Sequence, residues 1–248
     1  MYDMETRRST LALLAQGRSL NSVSRQTGVS RAAIRAWQRR VEPVPRMARD
    51  CRPQGPADTA AYAYLLGLYL GDGCVSPHPH GGHYLRIACA DAWPGLIHLC
   101  RTAVVAVRPG VSVAVVQKQG CVMVSSYDRH WPCLFPQHGP GRKHDRAIVL
   151  ADWQREIVDA HPWELVRGLV HSDGCRTTNW TTRAVGGVTR RYEYPRYFFT
   201  NKSADILRLF TDTLDGLGIA WTRANAKNIS VARRPSVALM DAHIGPKH

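Results

Sequence analysis

Acidic residues are in short supply. The 248-residue chain carries 19 Asp and Glu against 33 Lys and Arg, a formal net charge of +14. The imbalance is spread along the chain, with 10 basic and 4 acidic groups in residues 1–50 and 23 and 15 in the remainder. Both parts therefore favour a polyanionic partner; a basic surface kept for solubility is the plainer alternative. Long apolar runs are missing too. Nothing approaches the ~18 consecutive apolar residues that a membrane-spanning helix needs, and the opening MYDMETRRST has no apolar signal-peptide stretch. The cysteines number seven, an odd count, and none stand as C-x-x-C pairs. That argues against a disulfide framework or a zinc knuckle. They read instead as small buried apolar residues of a reduced, cytoplasmic protein. With 44% apolar and 21% charged residues, the composition is that of an ordinary globular chain. Its length allows one large core or two modest domains.

Two short stretches organise what is present. Residues 64–75 read YLLGLYLGDGCV and residues 164–176 read ELVRGLVHSDGCR. Each predicts an apolar helix ending in Asp-Gly-Cys. Small residues recur at four-residue spacing, Gly67 with Gly71 and Gly168 with Ser172, which puts them on one face where two backbones can pack closely. Gly73 and Gly174 stand where a left-handed C-cap is expected. Asp72 and Asp173 are poor choices for stability there, because the C-terminal end of a helix dipole is already negative. The same unfavourable choice made twice in matching contexts points to function. The bland alternative is two helix-ending turns with structural roles only.

These stretches resemble the paired motif of the LAGLIDADG homing endonucleases. LLGLYLGDG (Leu65 to Gly73) and VRGLVHSDG (Val166 to Gly174) keep the helix-contact glycine and the closing Asp-Gly, while the sixth letter, usually acidic, is Leu70 and His171. The resemblance implies an α+β fold: two pseudo-symmetric αββαββα halves forming a saddle of antiparallel sheets over double-stranded DNA. It makes Asp72 and Asp173, with Gly71 and Ser172 beside them, the residues of a Mg²⁺ site. It also implies a basic residue late in each half near the scissile phosphate. Residues 138–144 (HGPGRKH) and 244–248 (IGPKH) echo one another and align Lys143 with Lys247, 71 and 74 residues beyond the two aspartates. These lysines are the candidates for stabilising charge on the phosphate, with Lys118 and Lys227 in reserve. A linker and a basic tail are the alternative reading of those segments.

Residues 1–41 predict a small all-α domain of three short helices. Leu11, Leu13 and Leu14 mark the first, Ser19 caps a second that ends at Gly28, and Ser30 caps a third with Ile34 and Trp37 inward. The run SVSRQTGVSRAAIRAW resembles the helix-turn-helix modules of transposases and resolvases. That places Arg31, Arg35 and Gln38 against base edges in the major groove; a small bundle for protein contacts is the alternative. Residues 42–59, with four prolines, read as a linker. The two halves are then expected over 60–144 and 163–248, joined by a connector, 145–162, that is helical over 153–160.

Within the halves, strands are expected over 84–90, 111–117 and 121–126, then 176–183, 192–200, 220–224 and 228–232, with helices over 96–107 and 204–216. Arg176, Arg183, Arg190, Arg191 and Arg196, interleaved with Tyr192, Tyr194, Tyr197 and Phe198, suit strands lying on DNA. His78, His80 and His83 read as a polar Pro/Gly loop before a metal site. Two functions remain open: a monomeric, Mg²⁺-dependent, sequence-specific endonuclease, cytoplasmic and associated with the nucleoid, or a regulator that grips DNA without cutting it.

Overall fold

The computed structural model describes residues 2–42, 55–79, 81–245 and 247. The chain divides into two compact units, Met1–Arg52 and Pro53–His248. Most of the expected linker, residues 43–54, lies outside the described residues, as do His80, Pro246 and His248.

The smaller unit holds α1 (Met4–Ala15), α2 (Leu20–Thr27) and α3 (Arg31–Arg39). Asp3, Ser19 and Ser30 each accept a hydrogen bond from a backbone N–H of the first helical turn, the usual repair for orphan donors. Gly28 closes α2 at φ 68°, in the left-handed region that only glycine enters without strain. Val23, Val29, Ile34 and Trp37 form the buried centre, with Leu11, Leu14 and Leu20 packed round it. Arg31, Arg35 and Gln38 are exposed on α3.

The larger unit repeats one plan. The long apolar helix α4 (Thr59–Asp72) leads into β1 (Gly73–Pro77) and β2 (His83–Ala90), then α5 (Pro94–Val107), β3 (Val113–Lys118), β4 (Cys121–Asp128) and a four-residue α6 (Trp131–Leu134). The connector contributes a 3-10 turn, Lys143–Asp145, and α7 (Asp152–Ala160). Then α8 (Pro162–Asp173) leads into β5 (Gly174–Val185), β6 (Val188–Thr200), α9 (Ala204–Gly216), β7 (Thr222–Asn225), β8 (Asn228–Val231) and α10 (Arg234–Ile244). The sheets are antiparallel, with strand orders β1-β2-β4-β3 and β5-β6-β8-β7. One apolar core unites both halves, drawing Leu65, Leu66 and Tyr69 from α4, Leu165 and Leu169 from α8, and Ile87 and Phe199 from the two sheets. Among the described residues no helix is long and apolar enough to cross a membrane.

Four expectations need correction. Gly73 (φ −97°, ψ 159°) and Gly174 (φ −104°, ψ 168°) are extended, so each motif helix runs straight into a strand with no left-handed cap. Glycine is required there for space: a Cβ on Gly73 would lie 2.5 Å from Tyr69 Cα, and one on Gly174 2.7 Å from Val170 Cα. The segment after Asp72, expected to be a loop, begins as β1. The strands expected over 176–183 and 192–200 are a single hairpin of 12 and 13 residues, turning at Gly186 and Gly187 with φ 59° and 78°. Cysteine burial also differs, since Cys89 and Cys100 are buried whereas Cys74 and Cys175 are exposed.

Candidate active site and nucleic-acid interface

The close approach of α4 and α8 rests on glycine. A Cβ on Gly168 would fall 2.2 Å from Tyr64 O, and one on Gly67 2.7 Å from both Leu165 O and Leu169 N. Any larger residue at the crossing drives the two backbones apart. One turn later a Cβ on Gly71 would meet Ser172 Oγ at 2.1 Å and Asp173 Oδ2 at 3.0 Å. The helices therefore stay in contact to their ends, and Asp72 and Asp173 emerge side by side. Burial raises the pKa of both carboxyls; the charge of Asp72 adds to the effect on Asp173, which is pushed up to about 6.

Two ammonium groups answer this charge. Lys143 Nζ donates to Tyr69 O, to Leu70 O at 2.9 Å and to Gly71 O at 2.8 Å, and so caps the end of α4. Lys247 Nζ donates to Gly174 O and, at 3.5 Å, to Ser172 O at the end of α8. The unfavourable carboxylate at each helix terminus is thus matched by a cation on the last carbonyls. Burial lowers both lysine pKa values, that of Lys143 to about 8, with Asp72 and Asp173 acting in the opposite direction. The loop presenting Lys143 is pinned by Arg146, whose guanidinium donates to the carbonyls of Gly139, Pro140 and Gly141 at 2.9, 3.1 and 3.0 Å.

One member of the cluster escaped sequence reasoning. Asn201 Nδ2 donates to Asp173 Oδ2 at 2.7 Å, while Asn201 Oδ1 accepts from Ser203 N at 2.8 Å. The second bond fixes which end of the amide faces the carboxylate. An Asn two residues before a helix-capping Ser was the available signal, but it marks turns as readily as sites.

Hard oxygen ligands, few carboxylates and open positions for water suit Mg²⁺, and Asp72 with Asp173 offers that donor set. The carbonyls of Gly71 and Ser172, expected beside them, accept from Lys143 at 2.8 Å and from Lys247 at 3.5 Å, and each keeps a second lone pair. Among the described residues no three His, Cys, Asp or Glu side chains cluster as a metal site. His78 instead packs edge-on against Tyr84 and Tyr127.

The remaining candidates separate by face. Along β5 and β6, Arg183 lies opposite Arg190, Thr181 opposite Tyr192, Asn179 opposite Tyr194 and Thr177 opposite Arg196, so these eight share one face. Arg196 also donates to Ser230 Oγ at 2.7 Å. Arg176 projects to the other face, where it is held by both oxygens of Asp241 at 2.6 and 2.9 Å. Arg191 shares that other face, paired with Glu193 at 2.7 Å and stacked over Trp180 at 4.9 Å. Arg176 and Arg191 thus lie on the face opposite Arg183, Arg190 and Arg196, because alternation along a strand sends neighbours to opposite sides. Lys118 ends β3 opposite Cys121, and Lys227, in the β7–β8 turn, lines a cavity that also holds Asp173, Lys143 and Asn201.

No family model and no curated protein matches the sequence. Solved structures similar to it include I-DmoI in complex with DNA and Mn, at 13% identity and TM-score 0.48, covering 76% of this chain and 98% of that one. The LAGLIDADG meganuclease I-AabMI bound to uncleaved DNA is similar at 11% identity and TM-score 0.47, covering 73% and 82%. The N-terminal LAGLIDADG domain of DUF199/WhiA is similar at 12% identity and TM-score 0.45, covering 79% and 89%. Helices α4 and α8, crossed on Gly67 and Gly168 and each feeding a four-stranded antiparallel sheet, carry the two motif copies in one chain and match the α+β plan of two repeated halves expected from the sequence.

Proposed function

We propose that this protein is a monomeric, sequence-specific DNA endonuclease that hydrolyses phosphodiester bonds with Mg²⁺ at Asp72 and Asp173. The observation that carries the reading is their convergence at the ends of two glycine-packed helices, with Lys143 and Lys247 on the adjoining carbonyls. Mg²⁺ held there would supply an activated water and neutralise the phosphate. The chain does the rest. Lys143 and Lys247 stabilise the charge that develops on the phosphate, Asn201 holds the Asp173 carboxylate in one orientation, and the α4–α8 crossing keeps both carboxylates fixed.

Double-stranded DNA as the partner is supported by the β5–β6 hairpin. Arg183 and Arg190 stand directly opposite one another on its exposed end, and like charges in that position weaken a hairpin. A polyanion laid across them relieves the cost. A second reading, a regulator that binds without cutting, draws on the smaller unit. Its exposed Arg31, Arg35 and Gln38, in the helix-turn-helix role, would supply addressing of their own.

One experiment separates the two. A DNA site selected for tight binding from a random pool is incubated with the protein, with and without Mg²⁺. Cleavage that needs Mg²⁺ and is lost on at least one strand in each of Asp72→Asn and Asp173→Asn supports the nuclease. An intact, tightly bound site under all conditions supports the regulator.

A further inference from the structure

The two aspartates sit in unlike surroundings. The sheet register makes the comparison position by position, because Gly73 pairs with Ile87 in the first half and Gly174 with Phe199 in the second. Counting on from those partners, Thr200, Asn201 and Lys202 correspond to Ala88, Cys89 and Ala90. On the neighbouring strand, Phe199 faces Ile229 and Ile87 faces Val124, so Lys227 corresponds to Val122. Four positions that carry a hydroxyl, an amide and two ammonium groups in one half carry two methyls, a thiol and an isopropyl group in the other.

The cavities follow. The one beside Asp173 has a volume of about 460 Å³ and is lined by Asn201, Lys143, Arg142, Lys202 and Lys227. The one beside Asp72 has a volume of about 90 Å³ and is lined by Cys89, Ala90, Trp93, His171 and Lys247. His171 is buried, with its Nδ1 3.0 Å from the Tyr64 hydroxyl. Among the described residues the first cavity has room and charge for a phosphate group, and the second has one ammonium and little room.

Resting on the nuclease reading above, we propose that the protein is strand-selective: it cuts the strand whose phosphate enters the Asp173 cavity far faster than the strand facing Asp72, and releases nicked DNA as its main early product. The chemistry at each site is the same hydrolysis, water adding to phosphorus and the 3′ or 5′ oxygen leaving. The difference lies in how each phosphate is held. An added cation and a positioned amide act on charge that grows in the transition state, and losing one such group costs on the order of 10²–10³ in rate.

The test uses the full chain and a duplex of the selected site labelled differently on each strand. The expected result with Mg²⁺ is cutting of one strand on the order of tenfold or more faster than the other. Asn201→Cys and Lys227→Val, which install the first half's residue types, should slow the fast strand more than the slow one and so narrow the ratio of the two rates. Ala90→Lys, at an exposed position, should speed the slow one. A readout independent of cutting comes from single methylphosphonates placed along both strands and measured for affinity without metal. Removing the charge at the fast strand's cut position should weaken binding more than removing it at the slow one. Equal rates for the two strands overturn strand selection while leaving the nuclease reading intact. A ratio of the two rates left unchanged by Asn201→Cys and Lys227→Val also overturns it. Absence of cutting on either strand overturns both.

Discussion

The two halves of the larger unit are alike where they touch each other and unlike where they leave each other. At the α4–α8 crossing each contributes a glycine that the other's backbone occupies, an Asp-Gly at the helix end and a lysine on the last carbonyls. Beyond the crossing the resemblance fades. The first half's opening strands are 5 and 8 residues long, whereas the second half's are 12 and 13. Only Tyr197 to Thr200 of β6 pair with β8, so the outer part of the β5–β6 hairpin stands as a two-stranded arm. Backbone contact tolerates no variation, because a single Cβ at the crossing is too large. Sheet surface has no such constraint and can diverge in length, charge and cavity shape. The shared elements are therefore those that assemble the two carboxylates, and the divergent ones are those that meet a substrate.

The largest test of this division lies in the carboxylates. Asp72→Asn and Asp173→Asn should each keep DNA binding or strengthen it, since a negative charge facing phosphate is removed. Each should lower cutting of at least one strand by on the order of 10³ or more, measured on the labelled duplex. Equal binding and undiminished cutting in either variant would mean that the shared elements are structural only.

Next in size is the crossing itself. Gly168→Ala places a methyl 2.2 Å from Tyr64 O, and the helices must separate. The expected cost is about 3 kcal/mol or more, at or above the top of the usual range for overpacking, read as a fall in the urea midpoint. Gly216→Ala, where a Cβ meets nothing within 4 Å, should be neutral or slightly stabilising. Similar effects of the two substitutions would show that the crossing is looser than its geometry.

These shared features are also the ones the sequence discloses. Glycine at four-residue spacing and Asp-Gly at the end of an apolar run are local signals, and the helix expected over 204–216 has the bounds of α9. The echo of GPGRK and GPK marks the two lysines. What stayed hidden depends on contacts between distant segments. Asn201 reaches Asp173 only because β6 runs antiparallel to β5. The fate of Arg176 was set by Asp241, 65 residues away on α10. The length of the hairpin was missed because a strand that packs on nothing shows no alternation of apolar residues. A sequence cannot distinguish a glycine chosen for φ from one chosen for space, so Gly73 and Gly174 read as left-handed caps when they are extended.

A third test concerns pH. Asp173 has a folded pKa of about 6, above its unfolded value of ~3.9. The folded state therefore binds the proton more tightly, and stability falls as pH rises through that interval. Without metal, the melting temperature should decline between about pH 4 and pH 6, and Asp173→Asn should flatten that slope. Millimolar Mg²⁺ should raise stability above pH 6 by binding the folded state alone. A slope unchanged by Asp173→Asn would place its origin elsewhere.

The smallest expected effect probes the arm. Arg183 and Arg190 are exposed, face one another and have no counterpart in the first half, where Pro77 and His83 already close the corresponding strand pair. If the arm extends the DNA contact on one side only, Arg183→Ala and Arg190→Ala should each reduce the salt dependence of binding by about one unit of slope. Affinity at low salt should fall modestly and about equally for all sequences, as befits phosphate contacts. Folding stability should rise slightly in each variant, because the cross-strand repulsion is gone. Lys118→Ala, at the end of β3, gives the first half's value for comparison. A salt slope that responds to Lys118 but to neither arginine would put the arm off the DNA and leave its paired arginines without a partner.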